Sequence, residues 1–393
     1  MPIFSTLYKS VTCPQRKMRA VFIAVLVVFT VLYVALQSSP ALGNHVSSPQ
    51  FQDGKFRNVV PRPKDGFWKT VGILWDFTVN RPAGTQPAQP YTVRKVSQAE
   101  LKAAPDRSLY RLGHSSVLIK LQGSFWITDP VFVERASPVQ WAGPKRFHAP
   151  PIAFEDLPPL DGVILSHDHY DHLDSDTIRK LADKTEAFLT PLGVGNRLIN
   201  WGIKPNKVFQ LDWWQSVTLN GIKFVATPAQ HFSGRGLFDG DKTLWASWVI
   251  IDSSANQKGT TGDTFRLFFS GDTGYFDGFN EIGKRYGPFD ATLLDTGAYD
   301  LKWSYVHMLP EETIQAHMDL GGKWLIPIHN GTFELAMHPW IEPFERIAAL
   351  SRTRGVALTT PAMGELLDLN APKPVSYWWR NADSDSMEAV DKP

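Results

Sequence analysis

Ser166-His167-Asp168-His169-Tyr170-Asp171-His172 is the stretch on which the reading of this chain turns. Its H-x-H-x-D-H pattern is made by His167, His169, Asp171 and His172. Imidazole and carboxylate are ligands suited to zinc and to neighbouring divalent transition metals. The stretch follows Val163-Ile164-Leu165, a short apolar run that reads as a buried strand. It precedes Asp174-Ser175-Asp176, candidate N-caps for a helix over 177–184 with Ile178, Leu181 and Ala182 at helical spacing. The pattern therefore predicts a strand-to-helix turn on which several metal-ligating side chains converge.

The same arrangement recurs along the chain. Phe224-Val225-Ala226 leads to His231, Leu267-Phe268-Phe269 to Asp272, and Leu325-Ile326-Pro327-Ile328 to His329. Each candidate ligand lies just past an apolar strand, the sheet edge at which α/β proteins bind ligands. Seven candidates result: His167, His169, Asp171, His172, His231, Asp272 and His329. One tetrahedral zinc takes about four ligands. Seven suit two metal ions roughly 3.5–4 Å apart sharing a carboxylate and a hydroxide.

Outward from these motifs, the chain reads as an α/β domain. Residues 116–121 and 125–128 form a predicted hairpin ending at Asp129, and a Pro-rich loop covers 137–160. Further strands are expected at 222–226, 245–251, 265–269, 291–294, 324–328 and 356–359. A helix is expected to start at Leu309-Pro310-Glu311-Glu312. Residues 67–108 carry no clear periodicity.

The N-terminus has a different character. Residues 1–19 hold Lys9, Arg16, Lys17 and Arg19 and no acid, and residues 20–36 are an uncharged run of 17 residues, apolar but for Thr30, roughly 25 Å as a helix. The positive charge precedes the run, so the N-terminus is expected in the cytoplasm and the remainder across the membrane, in the periplasm or outside the cell. The length favours an uncleaved transmembrane or signal anchor. A signal peptide cleaved near Ser39-Pro40-Ala41 or Ala41-Leu42-Gly43, leaving a secreted protein, is the alternative. Residues 37–66 read as a linker, 67–375 as the metal-binding domain, and 376–393 as a polar tail apart from Tyr377-Trp378-Trp379.

Composition sets outer limits. The 393 residues carry a net charge of +1, which gives no electrostatic case for nucleic acid as a partner. Cys13 is the single cysteine, so neither a disulfide nor a thiolate zinc site is available within the chain. Fourteen Trp and 29 Pro suit rigid loops and a membrane-facing surface, or equally an aromatic core.

The set His167-x-His169-x-Asp171-His172, His231, Asp272 and His329 resembles the metallo-β-lactamase superfamily. The resemblance implies an αβ/βα four-layer sandwich with a dinuclear site at one edge. On it, His167, His169 and His231 would hold one metal and Asp171, His172 and His329 the other. Asp272 would bridge them, and Asp129 would lie beside them. A finer resemblance, to the N-acylphosphatidylethanolamine phospholipase D branch, rests on Leu112-Gly113-His114-Ser115-Ser116, Thr128-Asp129-Pro130, Gly143-Pro144-Lys145-Arg146, Lys242-Thr243-Leu244-Trp245, Ser270-Gly271-Asp272-Thr273-Gly274-Tyr275, His307-Met308-Leu309-Pro310 and His329-Asn330-Gly331-Thr332-Phe333. It implies two zinc ions and a phospholipid or other phosphodiester substrate attacked by a metal-bridging hydroxide. His307 would be the proton donor, with Tyr170 and Arg235 near the substrate; Asp272, Asp129 and His307 form the expected catalytic group. His114 is expected to be structural and Asp168 to point away from the metals. A lactonase or ester hydrolase, or a non-catalytic membrane-tethered metal-binding module, are the alternatives. Iron and manganese accept the same ligands.

Overall fold

Most strands of this chain are continuous apolar runs, and period-two alternation divides each run between two cores. In β4 (Ser116–Leu121), Val117, Ile119 and Leu121 enter one core while Leu118 enters another. In β10 (Ile222–Thr227) and β12 (Phe265–Phe269), Phe224, Ala226, Leu267 and Phe269 join the first core, and Val225 and Phe268 a third. Strands buried on both faces require a covering layer on each side. The computed structural model describes residues 47–382 except 64–65, 90, 92 and 254–263, and has that form.

One sheet has the order β15 (Leu366–Asp368), β3 (Ser108–Gly113), β4, β5 (Ser124–Thr128), β6 (Leu160–Ile164), β7 (Thr185–Pro191), β8 (Val208–Leu211). The other runs β14 (Gly322–Ile328), β13 (Phe289–Asp295), β12, β11 (Ser247–Asp252), β10, β9 (Ser216–Leu219). Both are mixed: β5–β8 pair in parallel, as do β12–β14, and the rest are antiparallel. The sheets pack through a shared core in which the Trp126 and Phe224 rings lie 4.4 Å apart. Outside the first sheet, α2 (Gln98–Ala103), α3 (Ser175–Leu181) and α4 (Val194–Asn200) supply Leu101, Ile178 and Leu198 to the second core. Outside the other, α5 (Gly278–Tyr286), α6 (Pro310–Asp319) and α7 (Glu342–Arg354) supply Phe279, Ile314 and Ile347 to the third. The layers are therefore helix, sheet, sheet, helix, as expected.

Local chemistry fixes the elements nearest the site. The β4–β5 turn places Gln122 and Gly123 at φ 53° and 79°, the left-handed pair a tight hairpin needs. Asp174 caps α3, its carboxylate accepting from Thr177 N–H at 2.9 Å. Pro310 occupies the first turn of α6, where its missing N–H costs nothing.

Several expectations are corrected. Residues 356–359 form no strand beyond a bridge from Leu358 to Leu325; the last strand is β15, too short to show a period. The expected strand at 245–251 begins at Ser247, because Trp245 turns inward to donate its indole N–H to Ala229 O. From residue 48 the expected linker is packed structure: β1 (Phe51–Gln52) pairs with β2 (Lys55–Phe56), and Phe56 is buried in the inter-sheet core. The unassigned stretch contains α1 (Phe67–Val79) and α2. Trp379, one of the three aromatic residues excepted from the expected polar tail, is buried and donates to Glu345. The apolar run at 20–36 lies outside the described residues; among those described, no helix is long and apolar enough to cross a membrane.

Candidate metal centre

The ends of strands from both sheets meet along one edge of the sandwich. β6 delivers the 166–172 turn, β10 delivers His231, β12 Asp272 and β14 His329. Backbone bonds stitch the two sheets together here: Ala246 N–H donates to Ser166 O at 2.9 Å, and His329 N–H to His114 O at 3.2 Å. Residues separated by up to 162 positions are thus brought side by side on rigid supports.

The seven expected side chains converge. His167 Nε2 lies 2.9 Å from His169 Nδ1, which is 3.2 Å from His231 Nε2. Asp171 Oδ2 lies 3.4 Å from His172 Nε2 and 3.2 Å from His329 Nε2. Asp272 stands between the two groups. Its Oδ1 is 3.0 Å from His172 Nε2, and its Oδ2 is 3.1 Å from His329 Nε2, 3.7 Å from His231 Nε2 and 3.8 Å from His167 Nε2.

Behind these lies a layer of orienting groups. Asp129 is fully buried and accepts from Ser166 N–H (2.7 Å), Ser166 Oγ–H (2.5 Å) and His172 Nδ1–H (2.7 Å). It therefore acts through His172, whose Nε2 it aims at Asp272. Asp295, not singled out in the sequence, performs the same service for His307: its Oδ2 lies 2.9 Å from His307 Nδ1, and its Oδ1 3.4 Å from His329 Nδ1. The signal was present, since Asp295 ends β13 as the other candidates follow their strands. His114 is closer to the site than a structural role suggests, with Nε2 2.9 Å from Asp171 Oδ2. His114, Asp129 and His329 all have positive φ (53°, 34° and 62°), conformations a non-glycine residue keeps only when its surroundings enforce them.

Asp168 points away, into a buried ion network: its carboxylate meets Arg197 Nε at 2.7 Å, and Arg197 Nη2 meets Asp239 at 2.6 Å. Arg235 corrects the expectation of a phosphate contact. It is buried, donates from Nη1 to Asp168 O (2.8 Å) and Leu173 O (2.5 Å), and packs over Tyr170, 3.9 Å from the ring centroid. It braces the metal turn. Tyr170 joins it, donating its hydroxyl to Arg235 O at 2.9 Å.

The donor chemistry fits divalent metal ions. Burial keeps His167, His169 and His231 neutral, well suited to present nitrogen lone pairs. Burial is the largest single influence on His172 and His329 and opposes their charge, but the facing carboxylates together outweigh it: Asp272 first, then Asp171 for His172, and Asp295 and Asp171 for His329. His172 is held well above the usual imidazole range and His329 is pushed up to about 10. Burial likewise disfavours the Asp272 and Asp171 carboxylates, yet the facing imidazoles hold both well below their usual range. The cluster thus demands positive charge, which protons supply when metal does not. His172 Nε2 and Asp272 Oδ1, although 3.0 Å apart, are not aligned for a hydrogen bond with each other and make none to any other described residue, as expected of atoms shaped for coordination. Four overlapping sets of ligand atoms, each within 4.8 Å, include all seven residues with His114, Asp295 and His307.

Similarity to known proteins spans the stretch that carries the seven expected ligands. A family model described as "Beta-lactamase superfamily domain" matches residues 126–330. An uncharacterized protein of Mycobacterium tuberculosis is 40% identical over 339 residues, covering 85% of this chain and 88% of its own. The N-acyl-phosphatidylethanolamine-hydrolyzing phospholipase D 1 of Caenorhabditis elegans is 36% identical over 272 residues, covering 65% of this chain and 74% of its own. The crystal structure of isothiocyanate hydrolase from Delia radicum gut bacteria superimposes with a TM-score of 0.51 at 19% identity, over 66% of this chain and 98% of that one, and so shares the fold.

Proposed function

Since the chain belongs to the metallo-β-lactamase superfamily, whose members here are metal-dependent hydrolases, we propose that it is a dinuclear metallohydrolase that cleaves a phosphodiester in phospholipids of the N-acylphosphatidylethanolamine type, giving a phosphatidic acid and an N-acylethanolamine. The observation that carries the reading is Asp272, one carboxylate within reach of both imidazole groups. In this proposal His167, His169 and His231 hold one ion, Asp171, His172 and His329 the other, and Asp272 both. Bound there, two divalent ions, zinc for preference, would supply positive charge against phosphoryl oxygens and acidify water. The protein's own groups do the rest. Asp129 and Asp295 fix the rotation and tautomer of His172 and His307. With Nδ1–H donated to Asp295, His307 Nε2 is the atom that carries a proton to the departing alkoxide, a role suited to imidazole. The similarity to the nematode phospholipase supports the lipid substrate. The proposal also takes residues 20–36 as an anchor that leaves residues 1–19 in the cytoplasm and the catalytic domain on the far side; secretion after cleavage is its alternative.

The test uses the full chain in detergent micelles with added zinc, beside His169→Ala. N-acylphosphatidylethanolamine and a panel of lactones are offered separately. Release of N-acylethanolamine by the parent protein and not by the variant is the expected result. Lactone turnover without phosphodiester cleavage would move the assignment to an ester hydrolase. Bound metal with neither activity would leave a binding module.

A further inference from the structure

Ten large apolar side chains are exposed among the described residues, and nine of them lie on segments tied to, or continuous with, the loops of the metal edge. The exception, Met318, sits at the end of α6 just before β14 begins, at the opposite edge. Val60 is held at the site because its N–H donates to Gln230 Oε1, while neighbouring Asn58 exchanges two hydrogen bonds with the His231 backbone. Trp68 (80% exposed) and Trp75 lie on α1. That helix is tied to the loop between Asp295 and His307 by the Asp76–Lys302 ion pair at 2.6 Å and by Phe77 stacked on Trp303 at 5.9 Å. Leu301 (82% exposed) is on that same loop. Phe238 (71% exposed) is on the loop after His231, where Asp239 accepts the Arg235 and Gly236 amides. Trp141 is on the loop after Asp129, which joins the site through the Phe147 N–H bond to Thr332 O.

Scattered apolar residues on a surface need no explanation, but confinement of nearly all of them to one edge does. The composition, rich in Trp on short helices and loop tips, is that of a surface seated at the headgroup level of a bilayer. The chain's connectivity selects the same occupant. Leu36 ends the apolar run and Asn58 is already bonded beside His231. The chain between Leu36 and the first described residue, Ser47, spans at most about 40 Å when extended. An anchor at 20–36 would therefore keep the metal edge close to the membrane it enters.

We infer that the edge carrying the metal centre is a membrane-docking face, on which Trp68, Trp75, Trp141, Phe238 and Leu301 enter a phospholipid bilayer around the mouth of the site. The inference rests on the phospholipid reading for its substrate but not for the face itself. A diester delivered from the bilayer reaches the metals without its acyl chains crossing water.

The test uses the full chain carrying Cys13→Ser, in vesicles of phosphatidylethanolamine and phosphatidylglycerol. Trp68→Cys, Phe238→Cys, Leu301→Cys and Met318→Cys are each nitroxide-labelled. Collision with dissolved oxygen and with a water-soluble nickel chelate gives the depth of each label. The first three are expected within the bilayer and the Met318 position in water. Labels at the first three positions as exposed to nickel as the Met318 label overturn the inference. So do labels shielded from both collision partners in a chain that sediments as a dimer, which would assign the face to a second copy. A combined Trp68→Ser, Phe238→Ser, Leu301→Ser variant is expected to lose about tenfold or more in turnover of vesicular substrate. It should retain the parent's turnover of a soluble short-chain phosphodiester; an equal loss on both substrates counts against the docking role. If the parent protein cleaves no phosphodiester, the proposed function fails while the labels still decide the face.

Discussion

Replacing Asp129 tests whether the buried layer behind the metal ligands sets their affinity. The carboxylate is fully buried and accepts three hydrogen bonds of 2.5–2.7 Å, from Ser166 N–H, Ser166 Oγ–H and His172 Nδ1–H. Asp129→Ala leaves three buried donors without their acceptor, each costing about 1–3 kcal/mol. Partial relaxation should bring the loss of stability to about 3–5 kcal/mol, the range for breaking a buried charge-assisted network. Asp129→Asn keeps the shape and one acceptor oxygen, so its effect should fall mainly on His172. Loss of a carboxylate behind a metal-binding imidazole weakens metal by about 10–100-fold. Zinc binding to metal-free protein, followed by competition with a chromophoric chelator, reads the two sites separately. In Asp129→Asn the step assigned to Asp171, His172 and His329 should shift by that factor. The step assigned to His167, His169 and His231 should shift less, since Asp129 reaches those rings only through Ser166 Oγ, 2.9 Å from His167 Nδ1. Unchanged binding at both sites, or equal weakening of both in a variant that unfolds like the parent, would refute the reasoning.

Three further outcomes follow from the same structure. In metal-free protein His172 is held above its ordinary range and His329 up to about 10, so both carry protons at neutral pH and zinc loading should release about two protons per chain in a pH-stat. A raised imidazole stabilises the fold fully below its unfolded value of 6.5, and that contribution is lost as pH rises through about 10; urea unfolding of metal-free protein should show this alkaline loss, and zinc-loaded protein should not. Arg197→Met leaves Asp168 and Asp239 buried without their partner and should cost about 3–5 kcal/mol in the same assay, loosening the His231 loop. Gly297→Ala would place a Cβ 1.5 Å from the His329 carbonyl oxygen, so it should reduce zinc stoichiometry measured by atomic emission, whereas Gly240→Ala, with no atom within 4 Å, should not.

Much of the site was legible because its signals are local. The H-x-H-x-D-H turn and the rule that a ligand follows an apolar strand need only neighbours in sequence, and strands buried on both faces announce themselves as unbroken apolar runs. Asp295 obeyed that rule but was masked by the nearby and more conspicuous His307. Short or irregular pieces left no trace: β15 has three residues, and α1 mixes Trp, Gly and Asp without a clean apolar stripe. Arg235 was misassigned because a cation beside a metal motif looks the same in sequence whether it faces solvent or carbonyls.

The sequence by itself determined the ligand types, their places at strand ends, the two-sided burial of the sheets and the apolar run near the N-terminus, all properties of residues within a few positions of one another. Only the tertiary structure decided that Asp272 stands between two imidazole groups, that Asp129 and Asp295 aim the rings, that Arg235 is a brace, and that the exposed tryptophans lie on segments tied to the loops of the ligand cluster. Those facts are distances between residues up to hundreds of positions apart, set by how two sheets pack and which edges they bring together.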